Sequence, residues 1–229
     1  MTNYVFDPAP QPGIEVEGRA ERFPVRRIFC VGRNYAAHAR EMGKDPDREP
    51  PFFFTKPADA VVANGADVPY PPGTENLHHE IELVVAIGRE AANISEQAAE
   101  DHIFGYAVGN DLTRRDLQLA ARDKGRPWDT GKAFDNSAPV SAIRPAAQIG
   151  HPERGRIWID VNGETRQDGD LGELIWNVRE IVSILSGLFT LQPGDLILTG
   201  TPAGVGPVQR GDEMAGGIEG VGELRNRIV

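Results

Sequence analysis

The segment His79-Glu80-Ile81-Glu82-Leu83 sets two carboxylates two residues apart at the start of an apolar run that continues to Ile87. In an extended chain, period two puts Glu80 and Glu82 on one face and Ile81, Leu83 and Val85 on the other. Two carboxylates about 4 Å apart repel by about 4 kcal/mol at an effective dielectric of about 20. A divalent cation that favours oxygen ligands, such as Mg2+, Mn2+ or Ca2+, removes that cost. The same pattern also fits a solvated edge strand whose glutamates face water. Asp111 offers a third carboxylate at the end of the apolar run Tyr106–Asn110, where it could also cap the following helix. His78 and His79 lack a neighbouring cysteine and a following H-x3-5-H, so oxygen ligands are preferred over zinc chemistry.

A second group lies in Gly32-Arg33-Asn34-Tyr35-Ala36-Ala37-His38-Ala39-Arg40-Glu41. On a helical turn His38 and Glu41, at i and i+3, are neighbours. A carboxylate beside an imidazole sets its tautomer and raises its basicity, which suits a general base for water. A surface helix with an incidental ion pair has the same spacing. Lys132, in Gly131-Lys132-Ala133-Phe134, is as open: an exposed lysine or a catalytic cation. The run Leu198-Thr199-Gly200-Thr201-Pro202-Ala203-Gly204-Val205-Gly206 offers backbone N–H groups and hydroxyls to an anion, or is a strand ending in a turn.

The elements that must position these groups are short. Arg27–Gly32, Phe52–Lys56, Glu80–Gly88, Phe104–Leu112 and 196–200 read as strands. Ile157–Val161 and Glu164–Gln167 flank Asn162-Gly163 and form the clearest hairpin signal. Helical pattern is expected over Asn34–Met42, over Ser95–His102 with Ser95 as N-cap, and over Thr113–Ala121. The longest helical stretch runs over Leu171–Leu188, interrupted at Asn177. Strand signals outnumber helix signals and do not alternate with them. The expected fold is α+β, mainly β. Residues 7–24 carry four prolines and read as an extended arm or short strands.

The chain has 229 residues with 24 Lys+Arg against 34 Asp+Glu, a formal charge of −10. Nucleic acid and anionic membrane are therefore poor partners. An anionic small molecule is acceptable only where a local positive centre exists. One cysteine, Cys30, leaves no intramolecular disulfide. No apolar run reaches the roughly 18 residues of a membrane helix, and the first residues have no basic or apolar leader pattern, so a cytoplasmic location is expected.

Taken in order, Gly32–Glu41, Phe54-Thr55-Lys56-Pro57, Asn76–Leu83, Gly109–Gln118, Lys124–Trp128 with Gly131–Phe134, Val161–Gln167 and Leu198–Gly206 resemble the motifs of the fumarylacetoacetate hydrolase family. The resemblance runs from about Arg26 to the C-terminus. It is strongest to the acylpyruvase and fumarylpyruvate-cleaving branch. It implies one catalytic domain over 26–229 behind an N-terminal arm over 1–25, folded as a mixed β-roll with few short helices and working as a homodimer. Glu80, Glu82 and Asp111 match the family's metal-binding carboxylates, with Mg2+ or Mn2+ as cofactor. His38 and Glu41 match its water-activating dyad. Lys132 and Gln118 match further catalytic residues, and Arg33, Arg115, Lys56 and Thr201 are expected at the substrate. The implied reaction is hydrolysis of the C–C bond of a dicarboxylic 2,4-diketo acid, with fumarylpyruvate as the expected substrate. Oxaloacetate decarboxylation on the same site and a non-catalytic oxyanion-binding role are the alternatives. Arg33, Arg48, Arg115, Arg122 and Arg126 all qualify as the cation for a distal carboxylate.

Overall fold

The computed structural model describes residues 3–41 and 49–229, with only the backbone given for Ala39 and Glu41. The chain runs through β1 (Gly13–Ile14), β2 (Phe23–Pro24), β3 (Arg27–Gly32), α1 (Ala36–Glu41), β4 (Phe52–Lys56), β5 (Val61–Ala63) and β6 (Asp67–Val68). It continues with β7 (Leu77–His79), β8 (Ile81–Ile87), β9 (Ile103–Asn110), β10 (Thr113–Arg114), α2 (Arg115–Asp123), α3 (Asp129–Lys132), β11 (Ala138–Val140) and β12 (Arg144–Pro145). The last part holds α4 (Ala146–Ile149), β13 (Arg156–Val161), β14 (Glu164–Asp170), α5 (Val178–Leu188), β15 (Asp195–Leu198), β16 (Gly206–Val208), β17 (Glu213–Ile218) and β18 (Gly222–Ile228). This is the expected α+β architecture, mainly strand, with mixed sheets and few short helices.

The largest sheet has the order β4-β3-β15-β8-β9-β11-β5, with β12 also on β9. A second sheet has the order β14-β13-β17-β18-β6. Most pairs are antiparallel, but β15 on β3, β11 on β5 and β18 on β6 are parallel. β8 lies inside the large sheet between β15 and β9, so both its edges are paired, and all seven of its residues are buried. Its alternation sends Ile81, Leu83, Val85 and Ile87 into the main core, which Ile157, Ile159, Ile218 and Leu224 of the second sheet complete. Val84 and Ala86 point the other way, into a smaller cluster with Ile28, Cys30, Ile14 and Phe23. Glu82 shares that second face, at the open end of the strand. A glutamate there cannot be a solvated edge residue, because the strand has no free edge.

Three local expectations change. Leu171–Leu188 is not one interrupted helix: a short 3-10 turn at Leu171–Glu173 is followed by a separate α5. Asn177 starts α5 rather than breaking it, since its side chain accepts from the Glu180 N–H while Glu180 answers the Asn177 N–H. Glu96–His102 is a 3-10 helix, and Ser95 precedes it without a side-chain cap. The Thr113–Ala121 helix begins two residues later, after the short strand β10. The hairpin between β13 and β14 turns on Asn162 and Gly163, at φ 54° and 79°, the two left-handed positions that this turn requires.

A candidate metal centre and its cavity

The antiparallel pairing of β8 with β9 sets Ile81 opposite Asn110. Asp111, the next residue, therefore arrives beside Glu80 and Glu82 although some thirty positions separate them in sequence. The Asp111 N–H donates to the Glu80 carbonyl at 2.8 Å, and the Glu80 N–H donates to Asn110 Oδ1 at 2.9 Å. Carboxylate oxygens of Glu80, Glu82 and Asp111 all lie within 4.8 Å of one another, and all three residues are buried.

The cations around the triad are unevenly shared. Lys132, at the end of α3, reaches Glu80 Oε2 at 2.7 Å and Asp111 Oδ2 at 2.6 Å. Arg115, at the start of α2, pairs with Glu80 and also donates to the Gln118 amide oxygen. Lys56 lies 2.8 Å from Asp111 Oδ1. Glu82 has none of these partners; its Oε2 accepts the Gly200 N–H at 2.7 Å. Gly200 makes that approach at φ +101°, and a Cβ there would stand 2.7 Å from the Asn34 Cβ. Burial works against the Glu80 charge, but Lys132 and Arg115 outweigh it and hold the carboxyl well below its ordinary range. For Glu82 burial comes first, then repulsion from Asp111 and Glu80, and together they push its pKa well above the ordinary value. Burial also disfavours the Lys132 charge, yet Asp111 and Glu80 raise its pKa overall.

This donor set fits a divalent cation. All three ligands are carboxylates, the choice of Mg2+ and Mn2+. The Lys132 ammonium between Glu80 and Asp111 marks where positive charge is wanted, and Glu82 still lacks a cation of its own. The cavity they line, about 30 Å³, has room for water-sized groups. His38, buried on α1, faces the same cavity, as do Arg33, Gln118 and Thr201. A wider cavity of about 600 Å³ adjoins it and shares Arg33, Phe54, Trp128 and Lys132.

The structure sorts the residues expected from sequence. His38, Lys132, Gln118, Arg33, Arg115 and Thr201 meet the triad at one cavity. Glu41 closes α1, and its side chain lies outside the described residues, as does Arg48. Lys56 lines neither cavity: it is fully buried, donates to the Leu112 and Lys132 carbonyls, and turns its charge on Asp111. Two of its three donors are therefore used on backbone carbonyls, and its charge faces Asp111. Thr201 is also constrained. Its hydroxyl donates to the Ile81 carbonyl at 2.8 Å and accepts from the Gln167 amide, so it has no proton left for a ligand carboxylate. Arg115 orients Gln118 by taking the amide oxygen, which leaves the NH2 end as the donor.

Sequence reading missed Gln167. Fully buried in β14, it accepts the Ile81 N–H at 3.1 Å and donates to the Pro202 carbonyl at 2.8 Å and to the Thr201 hydroxyl at 2.7 Å. Its oxygen also lies 2.8 Å from His79 Nδ1, which must carry the proton because that oxygen can only accept. Burial lowers the His79 pKa, consistent with a neutral ring. One amide thus ties together both sides of Glu80 and the Thr201 loop. Its signal in sequence was a lone inward position on an otherwise exposed polar strand, Glu164-Thr165-Arg166. Asn34 is a similar tie, with its amide bonded to the Thr199 and Trp176 carbonyls and to the Trp176 N–H.

A buried triad of carboxylates at the mouth of a mixed β-roll, with a histidine on the same cavity, defines a metal-centre enzyme architecture. The family model for the fumarylacetoacetate (FAA) hydrolase C-terminal domain matches residues 27–229. The chain belongs to the fumarylacetoacetate hydrolase family. It is 51% identical over 185 residues to a fumarylpyruvate hydrolase of Ralstonia sp, covering 80% of this chain and 96% of that protein. It is 44% identical over 203 residues to the mitochondrial oxaloacetate tautomerase FAHD1 of Homo sapiens, covering 89% and 91%. The crystal structure of fumarylpyruvate hydrolase from Pseudomonas aeruginosa, in complex with Mn2+ and pyruvate, superposes with a TM-score of 0.97 at 56% identity over 99% of both chains.

Proposed function

We propose that this protein is a divalent-metal-dependent hydrolase that cleaves the C3–C4 bond of acylpyruvates, with fumarylpyruvate as substrate and Mg2+ or Mn2+ held by Glu80, Glu82 and Asp111. The observation that carries the reading is the buried carboxylate triad with His38 on the same cavity. The fumarylpyruvate hydrolase relatives and the Mn2+ and pyruvate bound to one of them support it. Bound at the triad, a cation would supply Lewis-acid stabilisation for charge developing on the departing pyruvyl fragment, worth several kcal/mol.

The chain's own groups do the rest. His38 takes a proton from water, and the hydroxide adds to the C4 carbonyl. Lys132 and the Gln118 NH2 donate to the oxygen that becomes anionic. The C3–C4 pair then leaves with the pyruvyl fragment as its enolate, which a proton returns to pyruvate, while the acyl group leaves as fumarate. Glu41 serves as the carboxylate that orients His38. A general base in this role is worth roughly 10²–10⁴-fold. We take residues 1–25 as an arm before one catalytic domain over 26–229, and the working protein as a cytoplasmic homodimer.

A second reading is chemistry on oxaloacetate, favoured by the oxaloacetate tautomerase relatives. The deciding measurement is product identification on a panel of acetylpyruvate, fumarylpyruvate, maleylpyruvate and oxaloacetate with Mg2+ or Mn2+. His38→Ala should lower acylpyruvate kcat by 10²–10⁴-fold while oxaloacetate turnover persists. Equal loss of both would remove His38 as the water base. Full activity in excess chelator would sink the metal-dependent reading.

A further inference from the structure

The wide cavity beside the triad has a composition that the reaction at C4 does not explain. Phe52 and Phe54 point from β4, and Trp128 stands across from them just before α3. The Trp128 ring meets Phe52 edge-on at 5.3 Å and 89°, and Phe54 at 5.8 Å. The far end of the Phe52 ring packs over its register partner, Gly32. A Cβ on Gly32 would come within 2.0 Å of that ring. The next residue, Arg33, takes a left-handed backbone at φ 57°, a strained conformation for a long side chain. That corner carries its guanidinium over the Phe52 ring, 5.3 Å from the centroid, at the junction of the two cavities.

Among the described arginines that could meet a distal carboxylate, Arg33 is the one that lines both cavities. Arg115 is committed to Glu80 and Gln118. Arg122 lines the small cavity but not the wide one, and it pairs with Asp123 at the surface. Arg126 is exposed and lines neither cavity. Among the described residues no carboxylate pairs with Arg33. Asp129 also lines the wide cavity, but it is exposed, where water screens its charge.

We propose that Arg33, Phe52 and Trp128 form a tail subsite that selects acylpyruvates whose acyl group is flat, extended and ends in a carboxylate. This rests on the acylpyruvate reading above and adds how the acyl group is chosen. Aromatic walls grip a planar conjugated chain, as ring faces and edges do one another. The guanidinium reads the terminal carboxylate with a planar pair of donors. A trans double bond carries that carboxylate outward to Arg33, whereas a cis bond folds it back toward the triad.

The test compares Arg33→Met and Phe52→Leu with the wild type. The kcat/KM ratio of fumarylpyruvate over acetylpyruvate should fall about 10–100-fold in Arg33→Met, mostly through KM, the loss expected when a charged hydrogen bond is removed. The ratio of fumarylpyruvate over maleylpyruvate should fall in Phe52→Leu, a variant that keeps the Arg33 charge and removes the aromatic wall. In a separate calorimetric titration, wild type should bind fumarate at least about tenfold more tightly than crotonate, which lacks the second carboxylate. Arg33→Met should erase that preference. Unchanged ratios, or equal binding of fumarate and crotonate by wild type, overturn the subsite. A wild type inactive on every acylpyruvate overturns the functional reading instead, and the titration then decides the subsite alone.

Discussion

Replacing Glu82 with glutamine should stabilise the metal-free protein while removing cation binding and turnover. Glu80 and Asp111 each touch two cations, whereas Glu82 meets the Gly200 N–H and two like charges. At the 4.8 Å limit of the cluster, each carboxylate pair repels by about 3.5 kcal/mol at an effective dielectric of about 20. Lys132 offsets part of this, and a net cost on the order of 1–2 kcal/mol is expected to remain. The amide keeps an oxygen for Gly200 and turns donors toward Glu80 and Asp111. For a chain of this size the gain should raise Tm by about 3–8 °C in chelator. The pH dependence has a definite sign. The Glu82 pKa is raised in the fold, so below its ordinary value of about 4.3 the carboxyl is protonated in both states and costs nothing. The cost grows as pH rises from there toward the folded pKa. The Tm advantage of Glu82→Gln should therefore widen as pH rises above the ordinary carboxyl value. With excess Mn2+ the order reverses: wild type gains about 2.7 kcal/mol at 100 times Kd, and the variant gains little. Differential scanning fluorimetry in chelator and in Mn2+ reads all of this. A variant less stable than wild type in chelator at every pH would refute the account of Glu82 as the uncompensated carboxylate.

Gln167→Leu should leave the His79 ring N–H and the Ile81 N–H without their acceptor, at about 1–3 kcal/mol for each. Melting temperature and Mn2+ affinity should fall together, the second measured by electron paramagnetic resonance; unaltered affinity would show that the clamp does not position Glu80. Asn177→Ala should cost about 1 kcal/mol by uncapping α5 and lower Tm by about 2–4 °C. Its kcat/KM should stay within about twofold, since Asn177 lines neither cavity of the site and its loss changes stability.

What the sequence determined was local. Apolar runs with β-branched residues define Arg27–Gly32, Phe52–Lys56 and the strand after Glu80, because strand formation there depends on neighbours two residues away. Asn162-Gly163 declares its turn because few other residues accept two consecutive left-handed conformations. The order of seven short motifs carries the family, and with it the three carboxylates. Asn177 shows the limit even of local reading: the same residue interrupts a helix or begins one, depending on whether its side chain finds the Glu180 N–H.

The tertiary structure decided which readings of each charged residue apply. Glu-x-Glu is solvated on an edge strand and repulsive on a central one, and only the order of strands around β8 settles that. Lys56 and Lys132 have the same side chain, yet one is spent on carbonyls and Asp111 while the other spans two ligands at the cavity. Arg33 differs from Arg115, Arg122 and Arg126 only in where a strained corner carries it. Electrostatic energies depend on distance and on exclusion of water, and both are set by contacts between segments far apart in the chain. A sequence names the charges; the fold decides which of them are left uncompensated.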